Sequence, residues 1–149
     1  MSLRRMLLIL VACALGLGVI PLESLNCPAW DVWVVDQNGQ PVSGIAVRLS
    51  YKNYSAEDET HEIDRTTDQR GHIAFAAQTQ SASLVRRLIF ILSSSRAGIH
   101  ASFGRHASVF AFGKGLEGFD VDLQRNIVVE WTGESRNMES RIVVKPQRL

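Results

Sequence analysis

Four histidines, His61, His72, His100 and His106, are the side chains best suited to metal binding or acid–base work. His100 and His106 flank Phe103-Gly104 and His72 opens an alternating stretch, so three of them could meet across a sheet as a zinc site. No His-x-x-x-His or Glu-x-x-His pair accompanies them, and the spacing favours scattered surface or hydrogen-bonded imidazoles. Glu57, Asp58, Glu59 and Glu62 offer the hard oxygen donors that calcium takes, but the alternating acid-and-glycine spacing of a calcium loop is missing. Residues 56–62 therefore read as a solvated loop. Ser93-Ser94-Ser95 has no neighbouring base, and no serine sits in Gly-x-Ser-x-Gly. The run from Gly113 to Gly118 matches G-x-G-x-x-G in letters only, because Phe119-Asp120-Val121-Asp122-Leu123 alternates where a helix should begin. These patterns give no catalytic residue, no cofactor and no metal-ligand set.

Trp30, Trp33 and Trp131 are the candidate ligand-facing aromatics. A row of exposed rings would suit a sugar, since an indole offers a broad apolar plate with one polar handle. Trp30 and Trp33 stand three apart on one strand and point to opposite faces, so they do not share a platform. A tryptophan packed between two sheets is the commoner fate.

The chain start carries a different chemistry. Arg4 and Arg5 precede an apolar run, Met6 to Ile20, that ends at Pro21. Fifteen apolar residues fall short of the roughly 20 needed to span a bilayer, and the pattern fits a secretory signal over residues 1–24. The expected destination is outside the cytoplasm: periplasm, cell envelope or medium. Leu10-Val11-Ala12-Cys13 resembles a bacterial lipobox, which makes Cys13 a candidate lipidation site and membrane anchor. The alternative is cleavage near Ser24, leaving Cys27 as an odd cysteine, either a free thiol or an intermolecular link. Without residues 1–24 the chain has fourteen basic and fourteen acidic side chains, so no basic patch for nucleic acid remains. Asn53-Tyr54-Ser55 matches a glycosylation acceptor, relevant only in a eukaryotic host.

The elements that must position these residues are mostly strands. Trp30 to Asp36 is rich in aromatic and β-branched residues, Asn38-Gly39 supplies a tight reversal, and Ile45, Val47, Leu49 and Tyr51 alternate with polar neighbours. That reads as strand, turn, strand in one hairpin. His61 to Thr67 reads as an edge strand and Ile73 and Phe75 face one side of another, after a turn at Asp68 and Gly71. Leu84, Val85, Leu88, Ile89 and Leu92 recur at helical spacing, with Ser81 or Ser83 as cap, and suggest a short helix near 82–92; a buried strand from Leu88 to Leu92 is the alternative, since a short apolar run fits both. Arg86 and Arg87 are expected as the wet flank of a core element, with contact to a partner or to lipid headgroups as the alternative. Further strands are expected at 99–103, 107–112, 119–123, 126–132 and 140–145, with 133–137 joining the last two as a hairpin connection.

Val34-Val35-Asp36, Asn38-Gly39, Pro41-Val42, Gly44 and Val47, followed by Thr67-Asp68, Gly71 and Phe75, resemble the carboxypeptidase regulatory-like domain. The resemblance covers roughly residues 30–77. It implies a transthyretin-like antiparallel Greek-key β-sandwich of about seven to eight strands over residues 28–149. Its motifs specify turns and core positions, not chemistry. Enzymes of related fold lack their residues here. The chain ends Val-Lys-Pro-Gln-Arg-Leu where a transthyretin-type hydroxyisourate hydrolase has Tyr-Arg-Gly-Ser. It has Tyr51 and Tyr54 but no His-x-His for an intradiol dioxygenase iron, and no carboxypeptidase zinc domain.

The expectation is a non-enzymatic exported β-sandwich with a structural or protein-interaction role at the cell envelope. Its partner there is a protein or a glycan. A carbohydrate-binding module is the first alternative, and a hydrolase with an unrecognised His-Ser or metal site the second.

Overall fold

The two stretches most clearly marked as strands, around Trp30 and around Val47, lie in different sheets. The computed structural model describes residues 2–95, 102–122 and 127–147, and of residues 13–15, 94 and 95 the backbone alone. In chain order the elements are α1 (Leu3–Val19), β1 (Pro21–Cys27), β2 (Ala29–Val35), β3 (Ala46–Asn53), β4 (His61–Thr66), β5 (His72–Phe75), β6 (Gln78–Ser83), α2 (Leu84–Ser95), β7 (Arg105–Gly113), β8 (Leu116–Phe119), β9 (Val121–Asp122), β10 (Ile127–Val128), β11 (Asn137–Val143) and β12 (Lys145–Pro146). Expected strand 99–103 falls largely outside the described residues, as does His100.

The fold is an all-β sandwich. A three-stranded sheet, β11-β2-β5, faces a five-stranded sheet, β12-β8-β7-β3-β4. Alternation along each strand decides what enters the core. Trp30, Val32 and Val34 of β2, Ile142 of β11 and Phe75 of β5 meet Val47 and Leu49 of β3 and Val109 and Ala111 of β7. All are buried, each large side chain contributing roughly 1.5–3 kcal/mol relative to exposure. β4 lies at the sheet edge, as its polar sequence predicts.

The turn motifs have the expected local form. Asp36 Oδ1 accepts the backbone N–H groups of Asn38 and Gln40, both at 2.8 Å, and Gly39 takes φ +79°. Asp68 Oδ1 accepts those of Arg70 and His72, and Gly71 takes φ +71° while its carbonyl accepts from Val34 N–H. Any Cβ at Gly71 would sit 2.5 Å from the Val34 carbonyl oxygen, so two separate constraints demand glycine there.

Four features depart from expectation. The 30–52 hairpin is an arch: Pro41 and Val42 return to β2, but Thr67 then captures Gly44 and Ile45 and carries β3 into the opposite sheet. Second, β11 pairs with β2 in parallel, Trp33 beside Arg141, so the sandwich is not wholly antiparallel. Residues 133–137 therefore join β10, which pairs with β9, to the other sheet, and are not a hairpin connection. Third, Pro21–Cys27 is a strand where the end of the signal over residues 1–24 and a short lead-in over 25–28 were expected, paired with Gln78–Ser83 in a separate ribbon. Fourth, three strands are two-residue ladders, which brings the described strands to twelve.

Both helices leave the same end of that ribbon. Pro21 pairs with Ser83, so α1 arrives and α2 departs at one place, and a Cβ on Gly18 would come within 3.2 Å of Val85. Ser83 Oγ accepts from Arg86 N–H and caps α2. Among the described residues no helix is long and apolar enough to cross a membrane.

Candidate ligand-binding face

The outer face of the three-stranded sheet carries one exposed indole in a charged surround. Trp33 points outward from β2, between Arg141 of β11 and His72 of β5 in register. The next row is Glu139, Asp31 and Ala74, and beyond Val35 lies Pro41. His72 Nε2 donates to Asp31 Oδ1 at 2.9 Å, and its ring sits 4.9 Å from that of Trp33. The imidazole is thus held by an acid and in turn supports the indole. A groove of about 630 Å³ opens here, lined by Trp33, Val35, Pro41, Arg70, Glu139 and Arg141 among others. That volume lies within the roughly 300–1,000 Å³ of small-ligand sites. Trp33 is 38% exposed, enough to present a plate and not enough to swing freely.

The other two tryptophans are structural. Trp30 is fully buried and donates Nε1–H to Ser140 Oγ at 2.7 Å; Ser140 in turn donates to the Asp120 carboxylate. Burial pushes the Asp120 carboxyl up, against the pull of the Ser140 hydroxyl. Trp131 is buried, donates to the Ser135 carbonyl and lies under the Arg105 guanidinium. The structure therefore brings none of the three together.

The 56–62 segment is not a solvated loop throughout. Glu57 is 6% exposed and accepts from Asn26 Nδ2, Gln80 Nε2, Asn53 N–H and His61 Nε2 at 2.7–2.9 Å. Burial pushes its carboxyl up, but the hydrogen bonds from Asn26, His61 and Asn53 outweigh that and hold it below the usual range. Glu57 so ties the ribbon, through Asn26 and Gln80, to the five-stranded sheet. The signal missed was the spacing Asn53…Glu57…His61, a loop folding back on its own carboxylate. Asn53 is itself buried and its side chain accepts from Ser55 N–H, so the glycosylation match is no accessible acceptor.

The remaining candidates do not assemble. Tyr51 stacks on His61 at the inner face of the five-stranded sheet, whereas Tyr54 meets His106 at its outer face. The two pairs do not converge on one metal. Among the described residues no cluster of three or more His, Cys, Asp or Glu could hold a metal, and no histidine ring is hydrogen-bonded to a serine. Cys27 is buried, and burial pushes its thiol up to about 12, which removes it from intermolecular linkage. Cys13 lies within α1, and its side chain is outside the described set. The Gly113–Gly118 run is the end of β7, a tight turn at Lys114 and Gly115 and the first three residues of β8, with no helix after it. A second aromatic face, Phe110, Phe112 and Phe119 on the five-stranded sheet, lies beneath Arg48, which Asp64 and Glu62 hold in place.

No family model matches the chain, and no curated protein does. Among solved structures it is similar to a 3-chlorocatechol 1,2-dioxygenase from Rhodococcus opacus 1CP, at 12% identity and TM-score 0.47, over 86% of this chain and 64% of that one. It is also similar to a 9R-lipoxygenase from Cyanothece PCC8801, at 9% identity and TM-score 0.32, over 89% and 19%. The chain spans less than two thirds of either, and at such values neither chemistry transfers to it.

Proposed function

We propose that this chain is a non-enzymatic β-sandwich module, exported and held at the cell envelope, that binds a protein or glycan partner through the Trp33 face. The observation that carries the reading is the single exposed indole, braced by His72 and flanked by Arg141, Arg70, Glu139 and Asp31. The turn geometry at Asp36–Gly39 and Asp68–Gly71 supports a domain of the carboxypeptidase regulatory-like kind. A carbohydrate partner is the second reading, and the same indole favours it: an apolar plate for a sugar ring beside carboxylates and guanidiniums for its hydroxyls. A glycan array probed with the parent and with Trp33→Ala separates the two. Binding lost in the variant assigns a glycan; no glycan bound by the parent removes the carbohydrate reading. A bound glycan kept at parental strength by Trp33→Ala would overturn the Trp33 face as the site.

Export rests on Arg4, Arg5 and the apolar run of α1. Cleavage near Ser24 would remove Pro21 to Glu23 from a paired strand, with the Thr79 hydroxyl's bond to Glu23 and the Leu22 carbonyl that Arg87 uses. A chain lipidated at Cys13, or keeping α1, retains them. The favoured form therefore holds β1 whole, and intact mass of the protein taken from its host reads this directly.

A further inference from the structure

α2 is built inside out. A surface helix of a globular protein normally turns its apolar stripe to the core. Here Leu84, Val85, Leu88, Ile89, Ile91 and Leu92 are 37–60% exposed, along an arc of roughly 160° at 3.6 residues per turn. The opposite side faces the protein and is where the charge lies. Arg86 Nε donates to the Ala56 carbonyl at 3.1 Å and its guanidinium lies 5.5 Å from the Phe90 ring centre. Arg87 donates to the carbonyls of Ala82 and Leu22 and to Ser24 Oγ. Of the two arginines expected as a wet flank, Arg86 is exposed but tied to the Ala56 carbonyl, and half-buried Arg87 fastens the helix to the ribbon, so that the apolar side stays outward.

What covers that side is set by α1, which meets α2 at Gly18 and Val85. Met6, Leu7, Leu8, Ile9, Leu10 and Val11 are consecutive and all 48–68% exposed, so α1 is apolar around its whole circumference. A helix apolar on every side lies either in a large core or in a surrounding apolar solvent, and the exposure of residues 6–11 shows that this chain wraps no core around it. α2, apolar on one side and fastened on the other, then lies at the surface of that solvent, as interfacial helices do. We infer that, in the form that keeps α1, α2 is a membrane-contact helix that seats the ribbon end of the sandwich on a phospholipid bilayer, with no acyl group on Cys13 needed. The inference rests on the part of the proposed reading that places the chain at a membrane.

The test uses the full chain with Cys13→Ala, which removes acylation and leaves buried Cys27 unlabelled. One variant adds Leu88→Cys and another Glu117→Cys, each carrying an environment-sensitive dye. Vesicles of phosphatidylethanolamine and phosphatidylglycerol, with and without a lipid-borne quencher, supply the surface. The expected result is co-flotation, with the dye at 88 blue-shifted and quenched and the dye at 117 unchanged. Leu88→Glu with Ile89→Glu should lower binding at limiting lipid at least about tenfold and leave the thermal melt in place. Flotation with the dye at 88 still in water would overturn the α2 contact and leave the envelope reading standing. Failure to float would overturn the α2 contact, and the envelope reading would then stand only if the chain with Cys13 intact, taken from its host, carries an acyl group. A blue shift without lipid that rises with protein concentration would assign the face to a second copy, and a lowered melt would assign it to the core.

Discussion

The sandwich and the helical end obey opposite rules. In β2 the side chains Trp30, Val32 and Val34 point inward and are fully buried, leaving Asp31 and Trp33 outside. In α2 the arginines turn toward the protein and the leucines and isoleucines turn away. The same alternation logic yields reversed surfaces because the two regions are built for different solvents, water around the sandwich and an apolar phase around the helices. The β1–β6 ribbon joins them, and Glu57 is the buried clasp at the joint.

Substitutions that treat both regions alike should separate them. The largest effect belongs to Trp30→Ala, which opens a cavity in the closed core and takes the indole donor from Ser140; a loss of about 3–5 kcal/mol should appear in urea unfolding. Gly71→Val comes next, at the upper end of the roughly 1–3 kcal/mol for backbone strain, because a clash with the Val34 carbonyl adds to a positive φ. Gly39→Val should cost less, since its nearest atom is the flexible Arg141 guanidinium at 3.8 Å. A melt in which Gly39→Val is the worse of the two would contradict the turn assignments.

The clasp gives a pH dependence of known sign. The Glu57 carboxyl is held below its ordinary range in the folded chain, so its contribution is complete above the unfolded value and is lost as pH falls through the folded one. Asp120 opposes this, since burial raises its carboxyl and protonation relieves a cost. Thermal melts of Glu57→Gln should therefore show a flatter acid limb than the parent. The smallest effects belong outside the core: Trp33→Ala should shift unfolding by less than about 0.5 kcal/mol while ligand binding is lost.

Much of the sandwich was legible because strands with one dry side write their period into the sequence, as Ile45, Val47 and Leu49 do. Turns were legible because Asp36, Gly39, Asp68 and Gly71 have few other uses. The ribbon was not, because Gln78-Thr79-Gln80-Ser81 pairs through its backbone and buries little. The parallel partner of β2 was hidden for a related reason: alternation in residues 137–143 fixes which side is buried and is silent on direction. Helical spacing located α2 correctly but carries no information about which way a stripe faces. That direction came from what Arg86 and Arg87 hold, and all but one of those acceptors, Ser24 Oγ, are backbone carbonyls. At the candidate site, the opposite faces of Trp30 and Trp33 followed from their spacing. The His72 support for Trp33 required the β2–β5 register, which joins residues about forty positions apart.

Hydrogen–deuterium exchange of the full chain, measured with and without phospholipid vesicles, tests the two-solvent account most directly. The account predicts that vesicles slow exchange in peptides covering residues 3–19 and 84–92 and leave those covering 29–35 and 137–143 unchanged. Unchanged exchange in α2, or new protection across the Trp33 face, would contradict it.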